Sequence, residues 1–158
     1  MAASVESAGP VAANAKVELV SEVPEHPVEV LGDTVRLGQA VDNLVSNALK
    51  FTPAGGTVTV TLRGTEEVVI TVTDTGIGIP AVELSSLSQR FFRASTATRN
   101  AVPGVGLGLT ITKVIVTAHG GRLDIQSEEG VGTSISLHLP AGKPAPAEQV
   151  APEVQAAT

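Results

Sequence analysis

Asn43-Leu44-Val45-Ser46-Asn47-Ala48-Leu49-Lys50-Phe51 is the stretch from which the rest of the chain can be read. Leu37, Val41, Leu44, Val45 and Ala48 recur at helical spacing, which predicts a helix over about 34–50. Gly32-Asp33-Thr34 offers an N-cap, and Thr52-Pro53-Ala54-Gly55-Gly56 ends the helix. Asn43 and Asn47 are four apart and therefore share one face. Their amide oxygens can bind Mg²⁺, which takes a few protein oxygens together with water and phosphate. Lys50, the only lysine between Lys16 and Lys113, can neutralise a phosphate. Phe51 can lie against a base or plug the end of the core. The whole face can equally be the solvated side of an amphipathic helix.

Upstream, Val17–Val20 and Val28–Leu31 read as two short strands joined across a Pro-containing turn. Downstream, Val58, Val60 and Leu62 alternate with Thr57, Thr59, Thr61 and Arg63, and Val68, Ile70 and Val72 repeat the alternation. The run Gly64-Thr65-Glu66-Glu67 between them reads as a hairpin turn. From Thr75 to Pro103 the pattern supports a short helix at most, followed by a polar loop. Leu107, Ile111, Val114, Ile115 and Ala118 mark a second long helix, stopped by Gly120-Gly121. Arg122–Gln126 and Thr133–Leu139 form a closing hairpin across Gly130. Helices mixed with mostly antiparallel strands predict a two-layer α/β sandwich. Residues 1–15 and 141–158, rich in Ala, Pro and other small residues, read as a disordered linker and a disordered tail around a domain at 16–140.

Asp74 ends a predicted strand just before Gly76 and Gly78. An ionised carboxylate only accepts hydrogen bonds, so it suits the amino group of adenine and repels the guanine oxygen at that position. The glycines allow close approach of backbone to a base. An Asp-initiated turn is the plainer use of the same residues. Gly104-Val105-Gly106-Leu107-Gly108 opens the second long helix, where free N–H groups and the helix dipole favour phosphate. The G-x-G-x-G spacing after a loop is not the dinucleotide fingerprint, and no G-x-x-x-x-G-K-[ST] occurs. Arg90, Arg93 and Arg99 precede it, where a loop can bring charge onto phosphates. For Arg99 the reading is a solvated loop position.

Composition narrows the classes. Apolar residues make up 42% of the 158 and aromatics 2%, so Val, Leu, Ile and Ala must build the core. All three aromatics, Phe51, Phe91 and Phe92, fall inside the boxes. A net charge of −6 argues against nonspecific nucleic-acid binding. The absence of Cys removes thiolate chemistry and disulfides. No apolar run reaches the roughly 20 residues of a membrane span, and no signal-peptide pattern opens the chain. The expectation is a cytoplasmic domain without membrane contact.

The order of Asn box, Asp-Gly box, Phe/Arg segment and Gly box resembles the ATP-binding catalytic domain of sensor histidine kinases, within the wider GHKL ATPase superfamily. The resemblance spans about Val17–Pro140. It matches at Asn43, Asn47, Lys50, Phe51, Asp74, Gly76, Gly78, Arg93, Gly104, Gly106 and Gly108. It implies a Bergerat-type sandwich that binds Mg-ATP, with Asn47 as the Mg²⁺ ligand, Asp74 as the adenine reader and Phe91–Pro103 as an ATP lid. Asn43, Asn47, Lys50 and Arg93 would be the catalytic set, with Arg90, Val105 and Leu107 among the nucleotide contacts. The chain departs from the family at Leu87-Ser88-Gln89, where an Ile-Phe-Glu-like triplet usually anchors the lid, and at Val105, where many relatives place a hydroxyl.

Hydrolytic relatives typically carry Glu at the position of Asn43 to activate water, and an amide cannot act as a general base. The resemblance therefore points to the histidine-kinase branch. There the phosphoacceptor is a histidine on a separate dimerisation domain of the parent kinase, with a response regulator downstream. His26, in a Pro-flanked turn, His119, at a helix end, and His138, on the outer side of the last strand, all read as structural or surface residues. The alternatives are a regulatory nucleotide-binding module with degenerate catalysis and a GHKL-type ATPase.

Overall fold

The alternating Val/Thr runs set the architecture, since one face of each strand must be covered and the other can meet water. In the computed structural model, which describes residues 2–64, 66–87, 91–102 and 106–142, five strands form one sheet. β1 (Glu18–Glu22), β2 (Thr57–Gly64), β3 (Glu67–Asp74), β4 (Arg122–Glu128) and β5 (Gly132–Pro140) are ordered β1-β2-β3-β5-β4. β1 pairs in parallel with β2; the other pairs are antiparallel. The register places Val60 opposite Val72, Val72 opposite Ile135, and Ile70 opposite Leu137. The apolar positions of three strands thus converge on one face. On the other face, hydroxyls pair across strands, Thr71 with Ser136 and Thr73 with Ser134.

Three longer helices cover the apolar face: α1 (Ala2–Ala15), α2 (Thr34–Phe51) and α4 (Gly108–Ala118), with the short α3 (Ser95–Arg99) between the last two in sequence. Leu44, Val45, Val58, Val60, Val116 and Leu137 are essentially inaccessible at the centre of the core. The Asp33 side chain accepts hydrogen bonds from the Val35 and Arg36 N–H groups and so starts α2 as the N-cap. Thr52 closes it by donating to the Ala48 carbonyl. The two-layer α/β sandwich expected from the sequence is the architecture observed.

Three expectations need correction. Residues 2–15 are not a disordered linker but the helix α1, which packs on α2 with Ala12 buried in the core. Its polar, Pro-containing sequence hides this, but its end is well specified. Val17 N–H reaches the Ala12 carbonyl and Lys16 N–H the Ala13 carbonyl, with Lys16 in the left-handed region at φ 56°. This is a Schellman closure, and its apolar pair is Ala12 and Val17, both buried. The domain therefore begins before residue 16. Val28–Leu31 is not a strand: only Val30 forms an isolated bridge, to Ala141, which carries the domain past Pro140. Finally, the segment after β3 holds two short helices rather than one, a 3₁₀ turn at Ala81–Ser86 and α3. The expected disordered tail lies outside the described residues from 143 onward, as does Thr65 of the hairpin turn.

His138 does project from the outer face, but its side chain is only 15% exposed because Glu67 and Asp124 flank it. Arg122 pairs with the same two carboxylates.

A disordered linker would tolerate a charge at residue 12, whereas a docked helix would not. Ala12→Asp is expected to lower the unfolding free energy by about 2 kcal/mol or more. Urea denaturation measures this, and a midpoint equal to the parent's would place α1 outside the cooperative unit.

Candidate functional site

A cavity of about 360 Å³ opens between α2, the N-terminal end of α4 and the segment that contains α3, with β3 and β5 as its floor. Asn43, Asn47, Lys50, Phe51, Asp74, Gly78, Arg93, Gly106, Leu107 and Gly108 all border it. Arg90, Gly104 and Val105 lie outside the described residues, as do Ser88 and Gln89.

Asp74 is placed by strand alternation. It continues the inward series Val68, Ile70, Val72 and is 8% exposed at the end of β3. Its Oδ1 accepts the Gly76 N–H at 2.9 Å. Burial pushes the carboxyl above its ordinary 3.8, and the backbone N–H groups of Gly76 and Thr133 oppose that rise. Gly76 is glycine for a steric reason: a Cβ would stand 2.5 Å from the Phe51 carbonyl oxygen and 2.6 Å from Asp74 Oδ1. The Ile77 N–H donates to that same Phe51 carbonyl, so the loop after β3 is sewn to the end of α2. Farther along, Gly78 accepts the Thr96 hydroxyl at 2.9 Å and Ile79 N–H donates to Ser127 Oγ. The corner around Asp74 is thus held from three directions.

The other end of the cavity is an amide pair facing a helix start. Asn43 Nδ2 donates to the Gly108 carbonyl at 3.5 Å, which leaves Oδ1 as an acceptor. A Cβ on Gly108 would come no nearer than 3.6 Å to Asn47 Nδ2 and 3.9 Å to Asn43 Cγ. The glycine therefore keeps open a gap between α4 and both asparagines. Leu107, the N-cap, has no side-chain oxygen to satisfy the first-turn N–H groups, and the positive end of the dipole faces this gap. Gly106 has φ 73°, and a Cβ there would meet the Phe92 carbonyl at 2.4 Å. Among the described residues no cluster of three or more His, Cys, Asp or Glu side chains is able to hold a metal. One or two amide oxygens suit a hard cation that brings phosphate and water as its remaining ligands.

The cationic groups are less committed. Lys50 is exposed, its Nζ 5.9 Å from the Phe51 ring centroid, near the outer limit of a cation–π contact. Arg93 donates to the Val102 carbonyl, tying the two ends of 91–102 together. Arg99 pairs with Glu129 at 2.5 Å on the surface, in keeping with a solvated position. The Glu83 carboxylate accepts the Ser95 N–H at 2.9 Å; hydrogen bonds from the Ser95 hydroxyl and amide hold its carboxyl below the ordinary value.

Several cavity residues escape sequence reasoning. Thr133 stands directly opposite Asp74 in the β3–β5 register, and Ile79, Thr96 and Ile135 complete the walls around it. The available signal was the strand pairing itself, because the inward face of β5 could be assigned from Ile135, Leu137 and Leu139. Phe92 borders the cavity, whereas Phe91 is 70% exposed.

Residues 32–143 match the family described as histidine kinase-, DNA gyrase B- and HSP90-like ATPases. The chain is 41% identical over 127 residues to the sensor histidine kinase WalK of Bacillus subtilis, covering 78% of this chain and 21% of WalK. Its fold superposes on the mycobacterial sensor histidine kinase MprB with a TM-score of 0.77 at 35% identity, covering 89% of this chain and 95% of that one. Full-length ShkA in complex with AMPPNP gives 0.78 at 28% identity, covering 92% of this chain and 30% of that one. The chain spans between about an eighth and a third of the length of the curated relatives it matches. No helix among the described residues is long and apolar enough to cross a membrane. An asparagine pair facing a glycine-opened helix, a buried acid at the other end of the same cavity, and these matches lead to one statement: the chain belongs to the histidine kinase-, DNA gyrase B- and HSP90-like ATPase family, in its sensor histidine kinase branch.

Proposed function

We propose that the chain binds ATP with Mg²⁺ in this cavity and presents the γ-phosphate to a histidine on a separate dimerisation domain of its parent kinase. The observation that carries the reading is the polarity of the cavity. A buried, acceptor-only carboxylate sits at one end, and at the other a neutral amide pair faces a helix start whose N-cap, Leu107, has no side-chain oxygen. Adenine supplies an amino donor to Asp74; guanine presents a carbonyl there and is rejected. The triphosphate enters the gap kept by Gly108, where α4 N–H groups and the helix dipole meet its charge. Asn47, with Asn43 beside it, would hold the cation, which when bound draws charge from the phosphate oxygens.

Asn43 offers no carboxylate to activate water, so the site favours transfer over hydrolysis. The phosphoacceptor would come from outside: His26 is exposed in the loop between β1 and α2 and does not line the cavity. His119 has both ring nitrogens engaged by backbone, and His138 lies between Glu67 and Asp124 on the far side of the sheet. A response regulator would then receive the phosphoryl group, in the cytoplasm, without membrane contact by this segment.

Supplying a histidine-bearing dimerisation domain in trans with Mg-ATP is expected to give phosphohistidine on that domain. Tight ATP binding without transfer would favour a regulatory module, and phosphate release by the chain alone would favour a hydrolase. Asn47→Ala is expected to remove the Mg²⁺ dependence of ATP affinity in calorimetry while circular dichroism stays unchanged; an unaltered Mg²⁺ response would refute the metal role. Asp74→Asn loses a charge-assisted hydrogen bond, and ATP-over-GTP discrimination should fall by about 10- to 100-fold.

The same substitution has an opposite effect on stability. A carboxyl raised by burial binds its proton more readily in the folded state, so its favourable contribution lies on the acid side and is lost as pH rises through the raised value. Nucleotide-free Asp74→Asn should therefore melt higher than the parent at neutral pH. A lower melting temperature would mean that the hydrogen bonds from Gly76 and Thr133 outweigh desolvation.

A further inference from the structure

His119 lies at the far end of α4 from the cavity, yet both of its ring nitrogens are committed. Nδ1 is 2.7 Å from the Ile115 carbonyl, and Nε2 is 3.0 Å from the backbone nitrogen of Asp33. A carbonyl only accepts and an amide N–H only donates, so the proton sits on Nδ1 and Nε2 offers its lone pair. The ring joins the C-terminal end of α4 to the N-cap of α2.

The need for this bond follows from the sequence of α2. In a capping box the N–H of the N-cap residue is accepted by a Glu or Gln three residues on. That position here is Arg36, which has no acceptor, and its guanidinium reaches Gln39 instead. Asp33 caps the Val35 and Arg36 N–H groups, while its own N–H is satisfied from another helix. Gly32 fits the arrangement, since a Cβ there would lie 2.4 Å from His119 Cδ2 and 2.9 Å from Nε2.

A bond between helices does what a local cap cannot. α2 packs against α4, with Leu44, Val45, Ile115 and Val116 in the core cluster they share, and apolar contact does not fix axial position by direction. At the cavity end the two helices are tied by the long Asn43–Gly108 bond, made by a residue the bound nucleotide would engage. With 11 residues α4 is only about 16 Å long. A directional tie at its C-terminal end therefore governs where Gly106 and Gly108 stand relative to Asn43 and Asn47.

We propose that His119 is a positioning residue for the nucleotide site: by accepting the Asp33 N–H it completes the cap of α2 in trans and sets the register of α4 against α2. The proposal rests on reading the cavity as the ATP site.

Two amide replacements split the two bonds of the ring. His119→Asn can still donate to Ile115 but does not reach Asp33, whereas His119→Gln places an acceptor near the position of Nε2. The double variant His119→Ala/Arg36→Glu restores a cap within α2 without a tie to α4. Mg-ATP affinity by calorimetry is expected to weaken about three- to tenfold in His119→Asn and in the double variant. It should return to within about twofold of the parent in His119→Gln, and Arg36→Glu should recover melting temperature lost in His119→Ala. Parent-like affinity in His119→Asn or the double variant, or equal losses in the Asn and Gln variants, would overturn the positioning role. A parent chain that does not bind Mg-ATP would instead overturn the reading of the cavity.

Discussion

The packing of α2 against α4 over the apolar face of the sheet is the contact on which the rest of the structure depends. It joins residues 65 to 86 positions apart, and Leu44, Val45, Ile115 and Val116 of the two helices lie in one core cluster. The same contact places an asparagine pair from one helix beside the glycine-opened start of the other. Core and site share this seam, so a shift in the packing moves the chemistry too. The helices run in opposite directions, with the N-cap of α2 at the C-terminal end of α4.

The site divides into a rigid half and a half built from turns. Asp74 is fixed by a central strand, by the Gly76 N–H and by the Thr133 N–H, and the loop after it is bonded to α2, α3 and β4. The side of the cavity formed by 91–102 is anchored by the buried Ala94, Thr96 and Ala97, and its ends by contacts nearer the surface, such as Arg93 to Val102 and Glu83 to Ser95. Phe91, 70% exposed with φ 63°, sits at the start of that segment.

Under the proposed reading of the cavity, function and stability compete at Asp74. An acid that reads a base must be desolvated and aimed, and desolvation raises its proton affinity. The two backbone N–H groups lessen this cost without masking the carboxylate, because it accepts from them and keeps capacity for a ligand. An amide in its place would relieve the burial but could donate as well as accept, and so would lose its selectivity.

Much of this was legible in the sequence. The 3.6-residue pattern of Leu37, Val41, Leu44, Val45 and Ala48, the Asp33 cap, the strand alternations and the Gly120-Gly121 stop each rest on local chemistry, and each appears within a residue or two of its expected place. Asn43, Asn47, Asp74 and Gly108 could be singled out because their side chains, or lack of one, are unusual for their positions. What local chemistry does not carry is pairing between distant segments. α1 has the alanines of a good helix former, but its docking comes from Ala12, and from Val17 just beyond it, finding the core. β1 lies parallel to β2, and Val28–Leu31 makes only the Val30–Ala141 bridge, pairings set by segments distant in the chain. Thr133 beside Asp74, and His119 on the Asp33 N–H, arise from register across the sheet and across the helix pair. The site residues and most elements were thus determined by the sequence alone; the docking of α1, the fate of Val28–Leu31 and the meeting of the site residues in one cavity were decided by long-range packing, whose free energy belongs to no single segment.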